Sequence, residues 1–272
     1  MKSIKKILIV LVLLVCSAVA GKNIAVNSYR INKGKVEILS YDSLGSDRVE
    51  LKRVNSMASE ISESGEFRIT DKDRRSLVVT LNNGLIDGKY SEYYAGGSIF
   101  TTGRYSDGKR EGEWKIYTED GRVWKTYNYK NDLLNGEHVI YHTKTSIPET
   151  KGSYVNGEKN GVWENFYLSG KRRMRGTYVE GLKNGLFTEW YESGTEKSRT
   201  NYVNDMMSGK MTVYYETGAV LYEADMNDRN GEIKGYYRNG TLSFEGKMKD
   251  GRRTGKWTFY DKSGNLQTQR NY

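Results

Sequence analysis

The sequence predicts an all-β protein: an elongated single-sheet solenoid of stacked antiparallel β-hairpins, about 24 residues per repeat. Three observations carry that expectation. Glycines recur at a nearly constant interval, aromatic residues recur at fixed distances after them, and the stretches between are short. Segments such as "GEWKIY" and "KTYNY" are rich in aromatic and β-branched residues and bounded by glycine, which suits strands and leaves no room for helices.

The opening glycines are Gly88, Gly112, Gly136, Gly161, Gly185, Gly209, Gly231 and Gly255, at intervals of 24, 24, 25, 24, 24, 22 and 24 residues. Two residues on, at position 2, stand Tyr90, Trp114, His138, Trp163, Phe187, Met211, Ile233 and Trp257. Position 5 is aromatic in all eight repeats: Tyr93, Tyr117, Tyr141, Phe166, Trp190, Tyr214, Tyr236 and Tyr260. Position 9 is glycine in seven of them (Gly97, Gly121, Gly170, Gly194, Gly218, Gly240 and Gly264), with Thr145 in the third. Position 17 carries Tyr105, Tyr129, Tyr178, Tyr202, Met226, Met248 and Tyr272; the third repeat places Tyr154 one residue late, after a single-residue insertion near Pro148.

Asp, Ser, Thr or Asn precedes the position-9 glycine in six repeats, which is hairpin-turn chemistry. Each repeat therefore reads as one hairpin, and a second glycine-rich turn, "VNGEKNG" or "KDGRRTG", leads to the next. Positions 2 and 5 are an odd number of residues apart. Strict alternation would send them to opposite faces, so a bulge or strand end is expected between them. Position 5, aromatic throughout, is expected to be buried. A lone hairpin cannot bury enough apolar surface to be stable, whereas stacked neighbours can, with rings forming ladders worth ~2–3 kcal/mol for each buried aromatic.

Residues 1–20 stand apart from this pattern. Lys2, Lys5 and Lys6 precede an apolar run over 7–15, and Ala18-Val19-Ala20 gives a small-x-small site before Gly21. This reads as a secretory signal peptide cleaved after Ala20, placing the chain at the cell surface, in the periplasm or outside the cell. Lipoprotein anchoring through Cys16 is the weaker reading, because bulky Val15 stands where a small residue is usual. Cleavage takes the formal charge from +9 to +6 and removes the single cysteine, which excludes disulfides. Residues 21–64 read as a non-repeating cap whose "NIAVNSYRI" and "GKVEILSY" are strands, with 56–65 either a short helix or a polar loop. Residues 65–87 look like a degenerate repeat with Phe67 at position 2, ahead of eight full repeats over 88–272.

The recurrent "NG-x-W-x-x-[FYW]-Y-x-x-G … Y-x-x-G-x-x-[NT]-G" run resembles the MORN (membrane occupation and recognition nexus) repeat, and most closely a bacterial MORN-repeat-variant family often labelled as the antitoxin of a toxin–antitoxin pair. The resemblance covers about residues 84–272. It implies a β-hairpin scaffold or binding surface with no catalytic motif to carry over. An exported chain would not meet a cytoplasmic toxin, so a role at the cell surface or envelope suits the signal peptide better. Thr145, Met211, Ile233 and the two-residue deletion before Gly231 depart from the pattern and bear on local hairpin geometry.

Reactive chemistry is sparse. There is no nucleophile elbow, phosphate loop or dinucleotide fingerprint, and no cofactor is implied. His138 sits at a ring position and reads as a packed ring; with only His142 besides, no metal cluster is suggested. Glu113, Glu137 and Glu232 at position 1 become Lys89, Lys210 and Lys256 in sister repeats, which marks solvated positions. An envelope hydrolase built on a carboxylate pair is the alternative from another class. Two features could bind. Tyr94, Tyr167, Tyr191, Tyr215 and Tyr237 at position 6 would form a row suited to carbohydrate or protein, or would simply cover the sheet's second face. Lys171, Arg172, Arg173 and Arg175 in "GKRRMRG" would attract sulfated polymers or anionic membrane surfaces, or would only solubilise the sheet. The sequence thus reads as an exported, non-catalytic interaction module for a protein or glycan partner or a scaffold in the periplasm, with no nucleic acid and with self-association by edge pairing left open.

Overall fold

The computed structural model describes residues 21–40, 51–55 and 58–272. The expected signal peptide and Cys16 lie outside the described residues. Among the described residues there are 25 strands and no helix; 21 strands belong to one open sheet and four to a smaller one. The chain divides into two compact units. One reaches to Gly121 and includes Lys130–Asp132, and the other comprises Arg122–Tyr129 and Leu133–Tyr272.

In the first unit, Lys22–Ala25 pairs in parallel with Gly65–Thr70, covering the edge strand of the first hairpin. Ser28–Asn32, Lys35–Ser40, Ala58–Ile61 and Leu51–Asn55 form the smaller sheet in that spatial order. Ala58–Ile61 therefore corrects the expectation of a helix or polar loop over 56–65. Its Ala58 and Ile61 are buried and its Ser59 and Glu60 half-exposed, so a tertiary apolar face overrides a polar local composition. Val36, Ile38 and Ile61 from this sheet, with Phe67, Ile69, Leu77, Val79, Leu81 and Ile86 from the larger one, make a nearly solvent-free, mostly aliphatic core. The Ile86 amide donates to Gly34 O at 2.7 Å, tying the two sheets. Buried Glu37 is satisfied by Arg30 Nε and Asn32 Nδ2, both at 2.6 Å, and those hydrogen bonds hold its carboxyl below the usual carboxylate range.

The second unit contains hairpins only, paired antiparallel in chain order through residue 271. Its turns follow the sequence closely. Gly170, Gly194, Gly218, Gly240 and Gly264 take φ between 80° and 97°, and each donates its amide to the position-6 carbonyl at 2.9–3.0 Å. That is a type I turn closed by a left-handed residue, where glycine carries no steric penalty. Thr145 does not adopt that conformation. Its loop is one residue longer, closing through the His142 amide on Ile147 O, and this accounts for the insertion.

The expected irregularity between positions 2 and 5 is present. Registers shift immediately before Tyr93, Tyr141, Phe166, Trp190, Tyr214, Tyr236 and Tyr260. In each case the extra residue belongs to the return strand, at position 12 except in the third repeat, where the insertion makes it Glu149 at position 13: Asn165 faces Met174 and Phe166 faces Arg172, which leaves Arg173 unpaired. Position 5 itself is half-buried in all eight repeats, which corrects the expectation that it is the buried ring. The fully covered ring is position 2: Tyr90, Trp114, His138, Trp163, Phe187 and Trp257 are buried.

Why position 2 is covered lies in a pattern the sequence reading passed over. Position 15 of the preceding hairpin lies beneath it. Where the ring is tryptophan or phenylalanine this residue is glycine: Gly103 under Trp114, Gly152 under Trp163, Gly176 under Phe187 and Gly246 under Trp257. A Cβ on any of these would stand 2.2–2.3 Å from ring carbon atoms, an impossible contact. Where the occupant is smaller, position 15 carries a side chain: Thr200 faces Met211 and Ala224 faces Ile233. Ring and glycine exchange volume across adjacent strands.

Candidate functional site

The rings at positions 2 and 17 interleave into a ladder on one face of the sheet. In the first unit Tyr90, Tyr105 and Trp114 meet with centroids 5.1–5.3 Å apart. In the second unit the run His138, Tyr154, Trp163, Tyr178, Phe187 and Tyr202 has successive spacings of 5.5, 5.1, 6.1, 5.4 and 5.2 Å, all near edge-to-face. This geometry sets positive ring edges against negative faces. Trp163 and Trp257 donate their indole N–H groups to Ser153 O and Lys247 O on the strand beneath.

Cations lie over the ladder at the residue two before the opening glycine. Lys159 Nζ is 4.4 Å from the Trp163 ring and 4.9 Å from Tyr178; Lys183 Nζ is 5.4 Å from Phe187 and 4.7 Å from Tyr202. Arg253 stands 4.6 Å over Trp257. Among the described residues, neither Lys159 nor Lys183 has a carboxylate partner. Partial burial and the like charge of Lys183 lower the Lys159 pKa. Tyr178, Phe187, Tyr202, Lys183, Arg173 and Lys197 line an open cleft of about 350 Å³ on this face. The sequence reading did not single out these lysines, although their fixed spacing ahead of the glycines was available as a signal.

The position-6 tyrosines have a structural occupation. Tyr94, Tyr167, Tyr191, Tyr215 and Tyr237 are half-buried, and each donates its hydroxyl to the carbonyl of the position-5 residue one repeat ahead: Tyr117, Trp190, Tyr214, Tyr236 and Tyr260, at 2.7–3.0 Å. They are brought into one row, as the sequence suggested, but the row stitches successive hairpins. Asp261 at the same position instead accepts the Ser263 and Asn265 amides, both at 2.9 Å, capping its own turn. Position-5 hydroxyls meet the preceding hairpin, Tyr236 on Glu223 and Tyr260 on Glu245, at 2.6 and 2.9 Å.

The basic cluster is dispersed rather than concentrated. Arg172 and Arg175 share Glu164 at 2.9 and 3.6 Å, and Lys171 donates to Glu192 O. Only Arg173, displaced by the strand irregularity, lines the ladder-face cleft. Alternation along a strand divides neighbouring residues between faces, so a run of basic letters is not one patch.

His138 is buried in the ladder, stacked on Tyr127 at 4.7 Å, with Nδ1 3.1 Å from Thr126 O. Burial lowers its pKa, and the charges of Lys125 and Lys159 add to that against the opposing Thr126 contact. It is a neutral packed ring. Glu113, Glu137, Glu232, Lys89, Lys210 and Lys256 are all exposed, as their exchange of sign indicated. Among the described residues no group of three or more His, Cys, Asp or Glu is placed to hold a metal ion. Glu37 and Asp261 are pushed down in pKa by structural hydrogen bonds, the reverse of what a general acid needs.

A family model described as MORN repeat variant matches residues 110–131, 229–250 and 253–272. The chain carries MORN repeat variants at these three places. The three matches fall on the hairpin pattern that builds the ladder. MORN repeats are generally non-catalytic and make repeat-based binding or scaffold modules. None of the curated proteins compared with the chain matches it.

Proposed function

We propose that the protein is an exported, non-catalytic interaction module of the bacterial cell surface or envelope, and that its ladder face receives an extended partner. The observation that carries this reading is the open row of rings overlaid by Lys159 and Lys183, cations with no carboxylate partner among the described residues. Half-buried tyrosines alternating with buried Trp163 and Phe187, with cations above them in successive repeats, suit a partner that runs across several repeats. The basic, alanine-ended segment over 1–20 supports export.

Photo-crosslinking in producing cells tests it. A crosslinking side chain replacing Ser198, in the ladder-face cleft, is expected to capture a partner; one replacing exposed Asn201, on the opposite side of its strand, is expected to capture little. Adducts from Asn201 alone would reverse the assignment of faces. Retention of the whole protein in the cytoplasm would remove the surface role.

A further inference from the structure

The ladder face carries more than a row of rings. Two rows of cations bracket it in repeats four and five. Lys159 and Lys183 form one row, at equivalent positions over successive rungs. Arg173 and Lys197 form the other, each being the extra residue that the strand irregularity pushes out of register. Tyr178, Phe187 and Tyr202 lie between the rows along the floor of the cleft. Lys197 meets Glu189 only across 3.5 Å, with both side chains about half exposed, so that pair is weak in water. The other three cations have no ion-pair partner among the described residues. Arg173, Lys183 and Lys197 line the cleft against the single carboxylate of Glu189, and Lys159 extends the row over the neighbouring rung, so the cleft is cationic and lined by rings.

Pitch narrows the choice of occupant. Equivalent residues in successive hairpins are two strand spacings apart, about 10 Å, which is the length of one disaccharide in an extended polysaccharide. We infer that this cleft binds a linear acidic polysaccharide carrying one anionic group per disaccharide, lying across the strands with successive anions on successive cations. The lysine ammonium groups are held by ring contacts and not by carboxylates, so they are positioned before the ligand arrives and keep their charge available. Tyr178 and Tyr202 offer hydroxyls at the level of the sugar, and Asn165 and Ser198 add neutral hydrogen-bonding groups on the cleft wall. A membrane surface fits less well, because the cations here are set in a groove between repeats rather than spread over one face. This inference rests on the ladder face being the binding face and adds the chemistry of what it holds.

A hyaluronan octasaccharide, with one carboxylate per disaccharide, serves as the probe for calorimetric titration of the full chain; neutral chitohexaose and phosphatidylglycerol vesicles serve as comparators. Saturable binding to the octasaccharide is expected, weakening with added salt, and no binding to chitohexaose. Lys159→Gln with Lys183→Gln is expected to weaken binding about tenfold, as is Arg173→Gln with Lys197→Gln. Arg252→Gln with Lys262→Gln removes equal charge elsewhere and is expected to leave affinity unchanged. Circular dichroism melting confirms that each variant is folded; should the lysine pair unfold the chain, the Arg173 and Lys197 pair, which is exposed, decides the matter. Equal losses in the control pair would overturn the inference in favour of diffuse attraction. Equal binding of chitohexaose would show that charge does not select. Vesicle binding that depends on the same four residues, without octasaccharide binding, would assign the cleft to lipid. If Ser198 crosslinks a protein while the octasaccharide fails to bind, the glycan inference falls and the ladder face remains the binding face.

Discussion

Residues 136–202 and 209–248 occupy equivalent places in the repeat and are built differently. The first stretch fills positions 2 and 17 with His138, Tyr154, Trp163, Tyr178, Phe187 and Tyr202, and makes a continuous ring ladder. The second fills them with Met211, Met226, Ile233 and Met248. Its strands also lose an irregularity. The pairing of Val220–Asn227 with Asn230–Tyr236 runs without a register shift, whereas inter-hairpin pairs such as Pro148–Val155 with Glu158–Phe166 skip residues ahead of the ring. The two-residue deletion before Gly231 removes the slack that a wide ring requires. Ring size and the residue beneath it therefore change together, whereas the bulge follows chain length: the pairing that carries Met211 still shifts register between Thr200 and Tyr202, and the shortened repeat at Ile233 does not. The hairpin stack tolerates either set, but a mixture leaves a void or a clash.

The largest expected effect is the loss of a ladder ring. Trp163→Ala should destabilise the second unit by about 4 kcal/mol, and Met226→Ala by about 2–3 kcal/mol, measured by denaturant unfolding. Equal losses would show that the two stretches are energetically alike, against the contrast drawn above. Next in size is a transplant. Met211→Trp alone should cost about 2 kcal/mol, because Thr200 stands where the other tryptophans meet glycine. Adding Thr200→Gly should recover most of that loss; an additive double variant would mean that the exchange of volume is coincidental.

Much of the fold was legible because hairpin turns and ring positions depend on a few residues acting locally. Gly170 and Gly194 specify their turns whatever lies beside them, and Thr145 announced an altered loop. The misses are those in which contact across strands decides. Position 5 is aromatic in all eight repeats yet half-buried, since what covers a ring is the glycine on the neighbouring strand. For Tyr167 and Tyr191 the sequence left a ligand row and a structural row both open, because it does not show the carbonyl one repeat ahead. Ala58–Ile61 is polar in two of four letters, and its strand forms because Ala58 and Ile61 have a core to enter. For the candidate site, "GKRRMRG" drew the eye, while the more telling lysines, Lys159 and Lys183, sat singly in turns.

Smaller effects refine the picture. Tyr191→Phe should cost about 1 kcal/mol, the usual net value of one hydrogen bond, with no change in the calorimetric titration. A phenylalanine that abolished ligand binding while leaving stability intact would restore the tyrosine row as a binding surface. The smallest effect is a dependence on pH confined to the aromatic stretch. His138 has a lowered pKa in the folded chain, so the unfolded chain binds the proton more readily. Its contribution to stability is complete above the ordinary histidine range and is lost as pH falls through that range towards the folded value. The melting temperature should therefore drop between neutral and mildly acidic pH, and His138→Phe should flatten that slope. An unchanged slope would place the proton elsewhere.

The position-6 tyrosine hydroxyls all point one way along the chain, from Tyr94 to Tyr117 and from Tyr167 to Trp190. As synthesis proceeds, a hairpin that has just emerged lacks its acceptor until the following one arrives, so consolidation trails elongation by one step. Cutting between two repeats leaves a tyrosine hydroxyl without its acceptor on the upstream fragment and a carbonyl without its donor on the downstream one.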